Sequence, residues 1–535
     1  MHDFDYVIVG AGSAGCVVAY RLGEDPNVKV AVIEAGPPDD APEIHMPLAF
    51  GPNLTSDWDW ALFSEPEPGL DYRRNYLPRG RVLGGSSSLN AMMYVRGNRA
   101  DYDEWAAMGC EGWGYDDVLP YFKRGEDNER GPSYYHGVGG PLSVSDSRSM
   151  HPVVDAWIEA AGQAGIPHNE DLNGATQEGA GRFQLTQRDG RRCSTAVAYL
   201  HPAVARGNVD VFTDTRAYRI VFEGDRAVGV EVMRGGKLEQ IRAEREVIVS
   251  AGTYHSPQLL KLSGVGPSEA LAPLGIETRH ELPVGQNLQD HLMLNFVCLT
   301  DKPMLLSQVT PEAFAQYDAE GRGPCTSNGG EGGAFVRTRD GLDAPDVQFH
   351  IGCLLLHEEF LGVPFEDGYT FGPVVVKPTS RGMVTLRSPV PHARPRILHN
   401  YLQTEEDRQS MIAGARLNME ISAAAALREW RREDFLAPAS DSEADIMDFV
   451  QRRAHTVYHP VGTCAMGSVV DAELRVLGLE GLRVVDASVM PTITRGNTNA
   501  PTIMIGEKAS DLIRGVPPLS PASQTQPQEG AVAGG

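Results

Sequence analysis

Three glycines, Gly10-x-Gly12-x-x-Gly15, constrain the fold most, because they stand where one periodicity gives way to another. Tyr6 to Val9 is an unbroken apolar run, Ser13 to Leu22 has helical spacing, and Val28 to Ile33 is again mostly apolar. Short apolar runs separated by a helix suit a parallel sheet covered on both faces. In that setting Gly10 permits a tight turn, Gly12 lets the backbone approach a pyrophosphate, and Gly15 allows close helix packing. Ser13 opens the helix, whose free N–H groups and positive dipole end face the phosphates. The chain should therefore begin with a Rossmann-like, doubly wound α/β unit that binds a dinucleotide.

Glu34 follows at the end of the second strand, where a carboxylate accepts hydrogen bonds from both adenine-ribose hydroxyls. A negative charge there disfavours a 2′-phosphate, which argues against NADP. The loop and Glu34 leave the choice between NAD and FAD open.

With 535 residues, the chain is too long for one ordinary core and suggests two domains. Its net charge of −24 repels phosphate backbones and anionic membranes, so nucleic acid is excluded as a partner. Seven cysteines, odd in number and never spaced as CxxC, argue against a disulfide framework or a thiolate zinc site and for a reducing, cytoplasmic setting. No HExxH motif occurs and the histidines lack ligand-like spacing, so no metal is expected. No apolar run reaches the length of a membrane span, and strand-like sequence from Asp5 leaves no room for a signal core.

Residues 35 to 80, with EPEPG at 65 to 69, read as a long excursion. Strands are expected at Val209 to Phe212, Ala227 to Val232 and Glu246 to Val249. From about residue 296 to 450 period-two stretches such as Met383 to Leu386 alternate with helical ones such as Asp407 to Ala425. Thr310 to Gly333, rich in small and polar residues, reads as a mobile loop over a site. Leu482 to Val485 reads as a buried strand and Thr502 onward as a helix.

Four ordered blocks carry a resemblance. The first is the dinucleotide loop; the second is Gly80-Arg81-Val82-Leu83-Gly84-Gly85-Ser86-Ser87-Ser88-Leu89-Asn90 with Tyr94 to Gly97. The third is Gly252-Thr253-Tyr254-His255-Ser256-Pro257-Gln258, and the fourth runs from Tyr458-His459-Pro460 through Asp486-Ala487-Ser488 to Asn497-Thr498-Asn499. Together they resemble the glucose-methanol-choline (GMC) oxidoreductases over nearly the whole chain, with the choline dehydrogenase and long-chain alcohol dehydrogenase branch most alike.

The resemblance implies FAD, contacted by Gly10, Gly12, Ser13, Gly15, Glu34, Val82, Gly85, Asn90, Ala217, Asp486 and Ala487 and by the backbone near Asn497. Some relatives tether the flavin through a histidine just before the position of Asn90. Leu89 stands there, so non-covalent FAD is expected. The implied architecture is an FAD-binding domain over residues 1–295, with a substrate-domain insertion about 150–190, and a substrate-binding domain over 296–450 built on a mainly antiparallel sheet with helices. Residues 451–515 return to the first domain, and 516–535, rich in Pro, Ser, Gln and Gly, are expected to be disordered.

The redox step belongs to the cofactor, and the protein must orient substrate and manage a proton. A neutral histidine suits removal of an alcohol O–H proton near neutral pH. The resemblance makes His459 the general base and Asn497 the donor that orients the alcohol and steadies developing alkoxide, with hydride passing to flavin N5 and an alcohol, primary by expectation, becoming an aldehyde. Tyr458 and Glu331 are expected at the substrate. Glu331 matches a carboxylate that faces the ammonium of choline in some relatives, yet Gly329 and Gly330 stand where aromatic or amide neighbours are expected, and a loop carboxylate bonding backbone amides is the other reading. His255, His291, His357 and His455 are read as structural. The alternative function is an FAD-containing cyanohydrin lyase, and the electron acceptor is either oxygen or a quinone-like carrier.

Overall fold

A computed structural model describes residues 3–357, 362 and 366–522. The first sheet holds, in order, strands Val209–Phe212, Val30–Ile33, Asp3–Val9 and Lys237–Val249, all parallel, with Leu482–Val484 beside the far end of the last. Val30–Ile33 and Val247 to Val249 are wholly buried, as strands covered on both faces must be. Helix Ser13–Leu22 lies between the first two strands in sequence and buries most of its length, so the opening unit is doubly wound α/β.

Lys237–Val249 extends well beyond the Glu246–Val249 expected. Its first half pairs antiparallel with Arg226–Arg234, which pairs in turn with Thr215–Glu223. Lys237 to Gln240 are exposed, so this outer ribbon lacks the apolar run that marks the buried half.

The second layer is an antiparallel sheet in the order Gly179–Arg182, Gly332–Val336, Val347–Gly352, Gly368–Val375, Phe296–Leu299, Glu433–Leu436. Helices Pro152–Gln163 and Glu405–Ala423 back it, with Trp157, Met411 and Ala415 in one core with Phe349 and Phe371. Leu292–Met293 joins this sheet and also pairs antiparallel with His455–Thr456. That short pairing places the segment after Asp290 beside the segment before His459.

The expected loop between Thr310 and Gly333 contains a helix, Pro311–Glu320. Thr310 caps it by accepting the Ala313 N–H, Pro311 stands at its first turn, and Gly321 ends it with φ 61°. Its capping residues, which composition alone had marked as loop-like, are what define it. At the C-terminus, the Leu519 N–H donates to Tyr121 Oη at 3.1 Å and the Ala522 N–H to the Asp116 carbonyl at 2.9 Å. Residues 516–522 are thus laid along the protein rather than free, and 523–535 lie outside the described residues.

Helix Asn499–Arg514 crosses the first helix closely, a Cβ on Gly506 meeting Ala14 O at 3.0 Å. Buried Glu507 clamps the crossing by accepting from Arg21 Nε at 2.9 Å and Arg124 Nε at 2.7 Å. Paired on both sides, this carboxylate avoids the penalty of a lone buried charge. All seven cysteines are buried and unbridged, and among the described residues no helix is long and apolar enough to cross a membrane.

Candidate active site

A cavity of about 350 Å³ runs from the carboxyl ends of the first sheet to the edge of the second. At one end lie Gly10, Gly12 and Ser13. Gly15 is set behind them, where a Cβ would come within 2.0 Å of Gly10 O, so it serves helix packing rather than the cavity. A Cβ on Gly12 would instead meet no protein atom nearer than 3.9 Å. The space above Gly12 is open to a ligand.

The helix that begins at Ser13 has no side-chain cap, and neither has the helix that begins at Asn499. The two N-termini meet through Ser13 Oγ, which donates to Asn499 Oδ1 at 2.7 Å. Their free N–H groups and dipoles suit a pyrophosphate and other electron-rich oxygens. The Ser250 hydroxyl on the same wall has no protein partner. Gly85 lies so close that a Cβ would approach Gly12 Cα to 2.8 Å, which seats the second glycine loop against the first.

Glu34 accepts the Ala11 N–H at 3.0 Å and the Gly36 N–H at 2.9 Å, one on each oxygen, leaving the remaining lone pairs for ribose hydroxyls. Burial pushes its carboxyl up to about 7. Asp486 also faces the cavity, accepting from Gly252 N–H at 2.9 Å and Ser488 N–H at 2.8 Å. Ala217, Ala487 and Asn90 line the same wall. Val82 does not; it is buried beneath, its carbonyl accepting the Gly85 N–H at 2.8 Å.

At the other end stand Tyr458, His459 and Asn497. Tyr458 has φ 69°, an unfavourable value for an aromatic residue, and its carbonyl accepts from Arg79 Nη2 at 2.6 Å. The His459 N–H donates to Asp290 Oδ1 at 2.8 Å. His459 Nδ1 lies 3.0 Å from His291 Nδ1, the rings edge to face, and His459 Nε2 lies 3.1 Å from Asn497 Nδ2. His291 Nε2 is 3.1 Å from the Val376 carbonyl.

These contacts settle the protons. Burial holds His459 well below the usual histidine range and brings His291 down to about 4, so both rings are neutral. A carbonyl only accepts, so His291 Nε2 carries the hydrogen and its Nδ1 is the acceptor. His459 Nδ1 must then be the donor. The bare lone pair of His459 is on Nε2, toward the Asn497 amide and the cavity.

His291, read in the sequence as structural although its Gln289-Asp290-His291 segment resembles a recurrent family segment, holds the Nδ1 side of His459. Glu331 does not line the cavity. Fully buried, it accepts the His151 N–H at 2.7 Å and the Ser327 hydroxyl, which is the loop-bracing of its two expected roles. The cavity lining does include the apolar side chains of Phe50, Met93, Met293, Ile351, Leu356 and Val457. His350, which the sequence did not single out, also faces the cavity with Nδ1 unpartnered.

The GMC oxidoreductase family model matches residues 4–293 with its N-terminal part and 378–506 with its C-terminal part. The chain is a GMC oxidoreductase. A mitochondrial choline dehydrogenase of Mus musculus is 44% identical over 97% of this chain and 90% of its own. An oxygen-dependent choline dehydrogenase of Brucella anthropi is 43% identical over 98% of this chain and 97% of its own. The solved structure of a pyridoxine 4-oxidase from Mesorbium loti superposes with a TM-score of 0.87 at 33% identity, covering 96% of this chain and 99% of that one. This GMC oxidoreductase is accordingly an FAD-dependent enzyme of alcohol oxidation, with the fold of those flavoproteins.

The two glycines make separable predictions. Gly12→Ala should fold with the wild-type melting temperature of the apoprotein yet bind FAD at least about tenfold more weakly, a loss of about 1.4 kcal/mol. Gly15→Ala should destabilise the apoprotein itself by about 1–3 kcal/mol or more through overpacking. Thermal melts of apoprotein and flavin titration separate the two effects.

Proposed function

We propose that this enzyme oxidises an uncharged primary alcohol to the aldehyde, with His459 as general base and Asn497 orienting the alcohol. The observation that carries the reading is the contact of His459 Nε2 with the Asn497 amide at 3.1 Å on the cavity wall, with burial favouring the neutral ring. When bound, FAD supplies the hydride acceptor at flavin N5. An alcohol oxygen seated between these two side chains gives its proton to His459 Nε2 and accepts a hydrogen bond from Asn497 Nδ2. The His459 Nδ1–H stays directed at His291. Because the His291 Nε2–H is tied to a carbonyl, which takes up no proton, the transferred proton is not relayed beyond these two rings.

The apolar side chains lining the cavity favour an uncharged substrate. Among the described residues, the acidic side chains lining the cavity are Glu34 and Asp486, both engaged by backbone N–H groups at the dinucleotide end. With Glu331 turned away, a quaternary ammonium would find no counter-charge there and would have to be desolvated without one. The relatives named choline dehydrogenases therefore do not fix the substrate of this chain. Leu89, which lines the cavity with an aliphatic side chain, offers no nucleophile to the ring, in keeping with non-covalent FAD.

Anaerobic mixing with an alcohol panel tests the function. Uncharged primary alcohols should bleach the flavin, and 3,3-dimethylbutan-1-ol, the neutral isostere of choline, should give the higher kcat/KM of the two by about tenfold or more. No bleaching by any alcohol, with cyanide released from a cyanohydrin and the flavin spectrum unchanged, would point to the lyase instead. Acid precipitation should release all the flavin into the supernatant, and yellow colour retained in the pellet would contradict the non-covalent reading.

A further inference from the structure

Among the described residues three arginines are buried: Arg96, Arg192 and Arg483. Two have carboxylate partners, Glu126 at 2.5 Å from Arg96 and Glu246 at 2.7 Å from Arg483. Arg192 has none. Its Nε donates to Ile44 O at 2.8 Å, and its Nη1 to Ser87 O at 3.2 Å, Asn90 O at 2.6 Å and Asn90 Oδ1 at 2.9 Å. Its Nη2 has no partner at all. All these acceptors are neutral, and burial lowers the guanidinium toward about 9 with no carboxylate opposing the shift.

A guanidinium held dry without a counter-ion is costly, and proteins pair such charges. An arginine does not escape by giving up its proton, so the missing charge must come from elsewhere. One residue separates Arg192 from the cavity. That residue is Asn90, whose side chain it grips and which lines the wall. From Asn90 the chain runs to Met93, whose sulfur is 3.9 Å from Asn497 Nδ2, so the arginine grips a segment that reaches the His459–Asn497 end of the cavity.

We propose that Arg192 is the buried counter-charge of the reduced flavin, a positioning residue that acts through Asn90 to make the ring easier to reduce. This rests on FAD lying along the cavity as argued above. Alcohol oxidation sends two electrons and one hydrogen nucleus to the ring as hydride and one proton to His459. The ring therefore gains one negative charge, in a low-dielectric site where a nearby fixed cation is worth most. In the oxidised state that cation is unpaired, and reduction relieves it.

The test uses the holoenzymes of wild type, Arg192→Gln and Arg192→Lys, with two readouts besides turnover: the flavin midpoint potential, and affinity for sulfite, which adds to the oxidised ring to give an anionic adduct. The glutamine variant should bind sulfite at least tenfold more weakly, with a midpoint potential lower by about 30 mV for a two-electron couple. The lysine variant, which keeps the charge, should stay near wild type. Retention of FAD by the lysine variant alone also supports a need for charge. A glutamine variant with wild-type potential and sulfite affinity, even if less stable to heat, reduces Arg192 to a loop brace and overturns the proposal, as does a lysine variant as impaired as the glutamine one. Wild-type protein that binds no flavin would instead sink the cofactor site itself.

Discussion

The Asp290 carboxylate is the constraint on which the rest of the site depends. Its Oδ1 accepts the backbone N–H groups of His291 and His459, and its Oδ2 accepts the hydroxyls of Tyr401 and Thr456, each at 2.6 Å. Four donors on one buried carboxylate tie together two chain segments that also pair through Leu292–Met293 with His455–Thr456 and through a bridge between Gln289 and Val461. The same tie holds Tyr458 in its left-handed conformation, a strain of order 1–3 kcal/mol that persists only where surrounding contacts over-determine it. The result is a histidine whose backbone is fixed from one side and whose ring is fixed from the other.

What lies behind the His459 ring is another imidazole rather than a carboxylate. A carboxylate on His459 Nδ1 would stabilise the imidazolium and raise the ring's proton affinity. The neutral His291 fixes the tautomer without doing so, and Arg79 and His350 add further opposition to a positive ring. His459 is therefore kept as a free base across the physiological range, ready for an alcohol proton but not protonated in advance. The positive charge that assists reduction is placed elsewhere, at Arg192, out of contact with the base.

The parts of this arrangement that could be read in the sequence are those whose physics is local. Gly10, Gly12 and Glu34 belong to one strand-turn-helix-strand unit, and periodicity marked it, helix Ser13–Leu22 included. His459 and Asn497 were legible through family blocks, not through spacing. The His291 contact spans 168 residues and depends on pairing between distant segments. Glu331 was left between two readings for the same reason. The residue type suited a cation, but its side chain leaves the cavity for His151 and Ser327, and no local pattern reports that direction. Apart from what the family resemblance implied, the second sheet was visible only as a change of character, because its central strands Val347–Gly352 and Gly368–Val375 are buried throughout and lack the alternation of a half-exposed strand.

The central claim is that a neutral His459 takes the alcohol proton as hydride leaves carbon. Its most direct test is the rate constant of anaerobic flavin reduction at saturating alcohol, compared between wild type and His459→Gln. Lowering of the His459 pKa means the base form persists as pH falls, so the wild-type rate constant should be level from about pH 8 to about pH 6 and decline only below the ordinary histidine range. The glutamine variant should still bind FAD but be reduced about a hundredfold more slowly or worse. A His459→Gln holoenzyme reduced at the wild-type rate, or a wild-type rate that falls steadily between those two pH values, would contradict the account.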